Sequence, residues 1–276
     1  MFDNCLKTIF VFQTIFSIID IGDNVKIKKI AFDHHSELMI KYKQSLYGII
    51  DDFVEDLILS AEHYMMFEDD EFIGQIGVLD NAVTFFYVLD DFKYKQTDYF
   101  IKFVKAKKIE YAYVSTADLD FFHTATQFQE DVTMQAKFFL KTNAMPTAFD
   151  FDYIDFARLH DKEEIDMLTE GEFDDLHERI QAGQVYVFKE EGELVGVGVI
   201  SDSKMFTSQV NLGVFTKKKH QRRGIASTLL EFMSEKMLKD HKKVVAGCYY
   251  YNEASSKMLM HSGFRLMNIL EKIKLK

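Results

Sequence analysis

A basic, glycine-containing segment in the second half of the chain has the composition of an anion-binding loop. It reads TKKKHQRRGIAS from residue 216 to residue 227, between a run rich in β-forming residues and a run of good helix formers. A helix N-terminus offers free backbone N–H groups and the positive end of its dipole, and a glycine lets the backbone approach a phosphate. The segment therefore predicts a phosphate-binding turn, although a solvated basic turn ahead of a surface helix has the same composition.

A second group of polar residues follows the next predicted strand. That strand covers residues 244–250, and a predicted helix begins at Glu253 with Asn252 directly before it and Ser255 in its first turn. Gly263 and Phe264 follow this helix. Two motifs in this order, each on a strand-to-helix connection, are more specific than either motif alone.

Together these motifs resemble those of the GNAT superfamily of N-acetyltransferases. The stretch from Gln221 to Ala226 is similar to that family's (Gln/Arg)-x-x-Gly-x-(Gly/Ala) acetyl-CoA loop, and the stretch from Asn252 to Phe264 is similar to the signature of its last helix. The resemblance covers about residues 149–276. It implies an α/β fold with a mixed sheet and direct attack of a deprotonated amine on the thioester of acetyl-CoA in a ternary complex. A backbone N–H would polarise the carbonyl, and an acid would return a proton to the leaving thiolate.

The resemblance also implies which residues contact acetyl-CoA. The strand before the loop would pair with the pantetheine arm, the loop would hold the pyrophosphate through backbone N–H groups, and the start of the last helix would contact the pantetheine or phosphate portion. These residues are, in that order, Val214, Phe215 and Thr216; Gln221, Arg222, Arg223, Gly224, Ile225, Ala226 and Ser227; and Asn252 and Ser255.

The chain departs from the family pattern where the acid and the base are expected. Leu259 stands where many members have a tyrosine acid, and residues 209–213 read QVNLG, without the glutamate that many members use as a base. Tyr250 and Tyr251, at the end of the neighbouring strand, and His261, on the last helix, are the candidate replacements. Each is more often a packing aromatic or a solvated histidine than an acid.

Two other functions stay open at the level of sequence. The missing acid and base suit a non-catalytic acyl-CoA-binding or regulatory protein. A Phe- and Met-rich interior suits an acyltransferase that uses a longer acyl-CoA.

For the acetyltransferase, the expected partner is an amine on a small molecule or a peptide. Four acidic residues fall on the segment that usually shapes the acceptor site in this family, where they could attract a cation, although such a run is most often a solvated helix start. They are Glu170, Glu172, Asp174 and Asp175.

Both halves of the chain show the same order of predicted elements. A hairpin with an acidic turn is followed by strand, helix, strand and helix, beginning at about residue 64 in one half and about residue 185 in the other. This repeat predicts two tandem GNAT-like domains, residues 1–143 and residues 144–276, which meet near Pro146, the only proline. Below, these ranges are called the first half and the second half.

The first half lacks the basic glycine loop. The corresponding segment, residues 88–97, reads VLDDFKYKQT, and its two aspartates would repel a pyrophosphate. We therefore expect a degenerate copy of the fold that has lost the coenzyme site, packs against the catalytic half and supplies part of the substrate cleft. An unrelated α/β domain is the alternative.

Composition and charge exclude several classes of protein. The 276 residues are 47% hydrophobic and include 27 Phe, which excludes extended disorder. A net charge of −11 argues against a general nucleic-acid binder. Two cysteines cannot form a disulfide framework, and no Cys/His cluster has zinc spacing, so no metal site is predicted and a reducing cytoplasm is expected.

The start of the chain is the one apolar stretch that resembles a targeting segment. Residues 8–19 are apolar over about the length of a signal-peptide core, but they are followed by aspartates and have no small-residue cleavage site. The stretch is too short to cross a bilayer. We expect a helix or strand packed on the first half, no membrane association, and a chain that could form a homodimer.

Overall fold

The chain alternates short strands and helices, and the sequence of elements repeats from one half to the other. The structure is a computed structural model that describes residues 18–22 and 24–276. In the first half the strands are β1 (Ile18–Asp20), β2 (Val25–Ile30), β3 (Glu62–Glu68), β4 (Glu71–Leu79), β5 (Ala82–Val88), β6 (Tyr111–Ser115) and β7 (Gln129–Lys141). Its helices are α1 (Glu37–Ser45), α2 (Asp52–Leu59), α3 (Gln96–Lys107) and α4 (Leu119–Thr126).

The second half repeats this order with similar lengths. Its strands are β8 (Ile154–Phe156), β9 (Val185–Glu190), β10 (Glu193–Asp202), β11 (Gln209–Thr216), β12 (Lys243–Tyr249) and β13 (Phe264–Leu275). Its helices are α5 (Lys162–Leu168), α6 (Leu176–Gln181), α7 (Ile225–Lys239) and α8 (Glu253–His261). The predicted order of hairpin, strand, helix, strand and helix is confirmed in both halves.

The two halves exchange their last strands and so build one sheet. The described residues form 13 strands in the order β1-β2-β3-β4-β5-β6-β13-β7-β12-β11-β10-β9-β8. The last strand of the chain, β13, lies between β6 and β7 of the first half, and β7 lies between β13 and β12 of the second. The boundary at residues 143 and 144 follows the order of the chain and stays a prediction, because the sheet continues through both halves.

An apolar core common to both halves lies beside the exchanged strands. It combines Met39 and Ile58 from the helices of the first half with Phe138 on β7, Val245 on β12 and Leu270 on β13. All five side chains are buried. A fully buried side chain of this size contributes about 1.5–3 kcal/mol to folding. This shared core therefore stabilises the contact between the halves in addition to the strand pairing.

The predicted apolar element at the start of the chain falls mostly outside the described residues. Of residues 8–19, the structure describes Ile18 and Ile19, which belong to the edge strand β1 and are exposed. None of the helices in the described ranges is long and apolar enough to cross a membrane.

Candidate active site

The strands β11 and β12 separate where the predicted coenzyme residues begin. Across the described part of these strands, parallel pairing joins them from Gln209 to Asn211 and then stops. On its other side, β11 stays paired with β10 as far as Thr216. From Leu212 onward, one edge of β11 therefore has no strand beside it, and its backbone N–H and C=O groups are free to bind a ligand.

The basic loop brings a helix N-terminus to the end of this open edge. Gly224 is the N-cap of α7 and has a φ of +90°, a backbone conformation that favours glycine. A Cβ at this position would also lie 2.5 Å from the side chain of Ala148. Gly224 makes no side-chain cap bond, and the first N–H groups of any helix lack an intrahelical acceptor. The first turn of α7 therefore has the geometry of an anion site.

Two basic side chains around the loop are already paired with carboxylates. Arg223 forms two hydrogen bonds with Glu190, of 2.8 and 2.7 Å. Lys217 donates to Glu164 over 2.6 Å. These ion pairs shape the loop and neutralise part of its positive charge, so the backbone N–H groups at the start of α7 are one set of groups that can bind a phosphate. This arrangement agrees with the backbone role that the sequence resemblance implies.

A cavity of about 1010 Å³ runs along the open edge of β11 and is called the larger cavity below. Val214, Phe215, Thr216 and Gln221, all predicted coenzyme residues, line it together with residues of α5 and the segment after α5. The hydroxyl oxygen of Thr216 is buried and has no hydrogen-bond partner among the described residues. A buried hydroxyl without a partner is the kind of group that a bound ligand satisfies.

The last two predicted coenzyme residues lie at the turn between β12 and α8. Asn252 is the N-cap of α8, and its side-chain oxygen accepts from the backbone N–H of Ser255 over 3.0 Å. The structure therefore assigns this pair a capping role. In the described chain, neither residue lines the larger cavity.

A cavity of about 390 Å³, the smaller cavity, lies between the two halves. Its walls include Asn211 on β11, Gly247 on β12 and, from the first half, Asp51 and Gln135. It shares two residues, Glu172 and Phe215, with the larger cavity, so the two cavities are neighbours.

The acidic residues predicted to shape the acceptor site fall into two groups. Glu170 lines the larger cavity, and Glu172 lines both cavities. Asp174 and Asp175 lie outside the linings of both, just before α6, and Asp175 accepts from the guanidinium of Arg179 over 2.6 Å. The structure thus brings half of the predicted acidic set to the cavities.

The structure places the three candidate acids away from both cavity linings, as far as the described residues define them. Tyr250 donates its backbone N–H to the carbonyl of Gln135 over 2.9 Å. Tyr251 and His261 are exposed. The aromatic residue of this strand that lines the smaller cavity is Tyr249. A catalytic role for Tyr250, Tyr251 or His261 stays a prediction.

Cys248 lines the smaller cavity beside Tyr249. Its burial raises the pKa of its thiol, although the charge of Lys137 works in the opposite direction. A thiol with a raised pKa is protonated near neutral pH and is a weak nucleophile. This environment suits a packing role.

Asp51 is the cavity residue that the sequence analysis missed. It is the N-cap of α2, its Oδ1 accepts from the backbone N–H of Val54 over 3.1 Å, and only 5% of the residue is exposed. Burial, aided by the charge of Asp52, raises the pKa of Asp51 to about 8. The two aspartates ahead of an apolar helix are visible in the sequence as a capping signal, but nothing in the sequence places them against β11 and β12.

The first half has a similar opening with different contents. Its strands β5 and β6 are paired at two described positions, from Ala82 to Val83, and then separate. The connection to α3 begins with a 3-10 turn, Asp90–Lys95, that contains no glycine. Within it, Lys93 forms ion pairs of 2.8 Å with both Asp90 and Asp120. These contacts favour the prediction that this half has lost the coenzyme site, which stays a prediction.

Among the described residues, no three or more His, Cys, Asp or Glu side chains form a cluster that could hold a metal ion.

Family models match both halves of the chain. Residues 31–142 match an acetyltransferase (GNAT) domain, and residues 151–264 match the acetyltransferase (GNAT) family. A comparison with curated protein sequences gives no match. The first half is therefore a GNAT domain and not an unrelated α/β domain.

Solved structures show the same fold over most of the chain. An acetyltransferase of the GNAT family from Colwellia psychrerythraea is 16% identical, with a TM-score of 0.82, and the match covers 91% of this chain and 99% of that one. A tandem GNAT protein from the clavulanic acid biosynthesis pathway is 9% identical, with a TM-score of 0.55 and coverage of 91% and 98%. A GCN5-related N-acetyltransferase from Sphaerobacter thermophilus is 12% identical, with a TM-score of 0.55 and coverage of 77% and 80%. Identities this low show the fold alone. Together with the family models, they show that the chain belongs to the GNAT acetyltransferase family and carries two of its domains in tandem.

Proposed function

We propose that the chain transfers the acetyl group of acetyl-CoA to the primary amine of a small molecule or peptide. The observation that carries this proposal is the separation of β11 from β12 directly beside the glycine-started helix α7. A free strand edge can pair with an extended, amide-containing ligand, and an uncapped helix start can bind its phosphates. The strand edge from Val214 to Thr216 and Gln221 of the loop line the larger cavity, whereas residues 222–227 lie outside its lining in the described chain.

The residues of the larger cavity fit this coenzyme. Its volume is at the upper end of the range of about 300–1,000 Å³ that is typical of ligand sites. The backbone from Val214 to Thr216 would face the pantetheine amides, with the unpartnered Thr216 hydroxyl beside it. The N–H groups from Gly224 to Ser227 would hold the pyrophosphate. When bound, acetyl-CoA supplies an acyl group that is already activated as a thioester.

The smaller cavity fits the amine. It adjoins the larger cavity at Phe215 and Glu172, so an acceptor there lies next to a coenzyme in the larger cavity. Holding two reactants side by side removes much of the entropic barrier to transfer. Carboxyl groups of Asp52 and Glu172, and of Asp51 once it has lost its proton, make this cavity attractive to a cation.

Titration calorimetry of acetyl-CoA tests the proposal. A substitution at Gly224 is a poor probe, because its positive φ and its contact with Ala148 would strain the fold. Ala226→Glu is better, since a carboxylate in the first turn favours a helix while it repels a pyrophosphate. Ala182→Glu makes the same change at an exposed position after α6 and serves as the control.

We expect the wild type to bind acetyl-CoA and the control to bind within about twofold. Ala226→Glu should weaken binding by about 30-fold, which corresponds to about 2 kcal/mol. Amines would then be screened for release of free coenzyme A. Absence of binding by the folded wild type would contradict the proposal. Binding without transfer to any amine would favour the non-catalytic acyl-CoA-binding protein, and tighter binding of longer acyl-CoAs would favour the longer-chain acyltransferase.

A further inference from the structure

A buried amide in the smaller cavity has no partner. Asn211 is 5% exposed, and neither Nδ2 nor Oδ1 of its side chain has a hydrogen-bond partner among the described residues. Leaving a buried amide unpaired costs about 1–3 kcal/mol. Asn211 lines the cavity, so a ligand there is the candidate partner for this amide. An amide on a ligand would accept from Nδ2 and donate to Oδ1 at once.

The carboxyl group of Asp51 faces the same cavity. Its Oδ1 is used in capping α2, whereas its Oδ2 lies against β12, where a Cβ on Gly247 would approach it to 2.7 Å. The absence of a side chain at Gly247 therefore lets Asp51 reach the cavity wall.

The second half fixes the segment that carries Asp51. The side chain of Gln209 donates to the carbonyl of Ile50 over 2.7 Å, and Asn268 accepts from the backbone N–H of Ile49 over 2.9 Å. These bonds hold the two residues before Asp51 on the strands of the second half. Helix α2 is anchored as well, since Glu55 accepts from the backbone N–H of Lys204 over 2.8 Å.

We propose that the smaller cavity binds the amine substrate with residues of both halves. Asp51 of the first half accepts a proton from the ammonium group of this substrate, and Asn211 of the second half binds an amide group of the same molecule. The inference rests on the proposed function and names its acceptor class: a primary alkylamine that carries a carboxamide or peptide group. The first half then contributes a residue that touches the substrate.

The proposed step balances in protons and electron pairs. Asp51 takes one proton from the ammonium, which leaves a neutral amine with a free electron pair. That pair forms the new C–N bond as the C–S bond breaks, and its electrons leave on sulfur. The second nitrogen proton ends on sulfur, and Asp51 passes its proton to solvent when the acetylated product leaves.

The sign of the pH dependence follows from the role of Asp51 as a proton acceptor. Asp51 accepts a proton only when it is ionised, and burial raises its pKa to about 8. The kcat/KM for the amine should therefore rise with pH through about 8, until the substrate ammonium itself loses its proton. The other titratable and charged groups of the surrounding elements include Asp52, Glu55, Asp56, Glu172, Cys248, Tyr249, Arg179 and Lys137. Of these, Asp52 and Glu55 are the ones whose charges raise the pKa of Asp51.

The chain offers a matched pair of variants. In Asp51→Asn the capping bond is kept, because asparagine caps helices as well as aspartate does. Asp118→Asn is the control: Asp118 is also a buried N-cap in the first half, it accepts from Phe121 over 3.1 Å, and burial raises its pKa to about 7. It lies outside the lining of the smaller cavity. Gly247→Ala tests the approach of Asp51, and Asn211→Leu tests the amide.

The probes are ω-amino amides of two to six carbons, such as 4-aminobutanamide, and the alkylamines of equal length. Calorimetry at pH 7 in two buffers of different ionisation heat counts the protons released when the amine binds. The wild type and Asp118→Asn should release about one proton, and Asp51→Asn none, because the ammonium displaces the proton of Asp51. Asp51→Asn should lower the rate of transfer by about 100-fold and move the rising limb near pH 8 to the pKa of the substrate amine.

The remaining variants separate binding from proton transfer. Gly247→Ala should lower the rate of acetyl transfer and shift the rising part of its pH profile near pH 8. Asn211→Leu should remove a preference of about tenfold for the amino amide over the alkylamine, the value of one good hydrogen bond. All variants should bind acetyl-CoA as the wild type does.

Failure of this inference differs from failure of the proposed function. If the wild type transfers acetyl groups and Asp51→Asn does so equally fast with an unchanged pH profile, the role of Asp51 is wrong while the function stands. If the protein binds acetyl-CoA but none of the probe amines, the assignment of the acceptor site is wrong. If it does not bind acetyl-CoA, the proposed function fails.

Discussion

Tyr249 lines the smaller cavity one position before the pair of tyrosines that the sequence brings forward as candidate acids. Side chains alternate across a strand, but β12 ends at Tyr249, so the next two residues no longer follow that alternation. Tyr250 packs beneath the ammonium group of Lys137, 4.6 Å from its ring, and Tyr251 is exposed. Tyr249 and Tyr251 are equally exposed, at 60% each, so contact with the smaller cavity, and not burial, separates these tyrosines.

We expect Tyr249→Phe to lower the rate of acetyl transfer more than Tyr250→Phe, Tyr251→Phe or His261→Gln does. A positioned acid contributes about 10²–10⁴-fold to a rate, and a phenyl ring keeps the packing while it removes the proton. Steady-state kinetics with acetyl-CoA and an amine measure this. A larger loss of rate in any of the other three variants would show that the catalytic acid is one of the residues predicted from the sequence.

At the scale of elements, β7 connects the halves through a buried ion pair as well as through the sheet. Lys141 on β7 pairs with Glu231 on α7 of the second half, and both side chains are almost completely buried. Lys141 also donates to the carbonyl of Ser262 over 2.6 Å. Buried charges of this kind are stable only together, because each one alone is left without water or a counter-ion.

Lys141→Met should lower the free energy of unfolding by about 3–5 kcal/mol, because Glu231 is left charged and unpaired. Adding Glu231→Leu should recover part of this loss, since the double variant buries no charge. Lys274→Met is the control: it breaks an exposed pair of 2.8 Å between Lys274 on β13 and Glu130 on β7, and should cost at most about 1 kcal/mol. Urea denaturation followed by circular dichroism measures all three. Equal losses at Lys141 and Lys274 would contradict the importance of burial.

At the scale of the whole molecule, the exchange of last strands makes each half incomplete by itself. Without the first half, β12 and β13 would have no β7 between them. The shared core around Phe138 and Val245 would be open to water, and Asp51 would be missing from the smaller cavity. Stability and the candidate site thus depend on the same exchange.

Expressed alone, residues 144–276 should fail to give a folded monomer that binds acetyl-CoA. Co-expressed with residues 1–143 as a separate chain, they should give a 1:1 complex that does, because the exchanged strands rejoin the halves. Size-exclusion chromatography and calorimetry with acetyl-CoA distinguish these outcomes. A folded, binding-competent fragment of residues 144–276 would show that the second half is independent.

The sequence by itself determines the local features of this protein. The positions of the helices and strands follow from hydrophobic periodicity, and the glycine loop around Gly224 and the cap at Asn252 follow from backbone rules that act within a few residues. The repeat of elements, with the motifs of the second half, identifies the fold. The predicted helix that begins at Glu253 coincides with α8, and the predicted strand 244–250 lies within one residue of β12 at each end.

Only the tertiary structure determines which residues of the two halves come into contact. The long strands β7 and β13 are antiparallel partners. Either strand could have been the last strand of its own half, because strands pair through backbone hydrogen bonds that every residue except proline can make. The exchange brings Asp51 beside residues about 160 to 200 positions later in the chain, and burial there changes its pKa. A carboxyl group's chemistry depends on its surroundings, and those surroundings exist only once both halves have folded together.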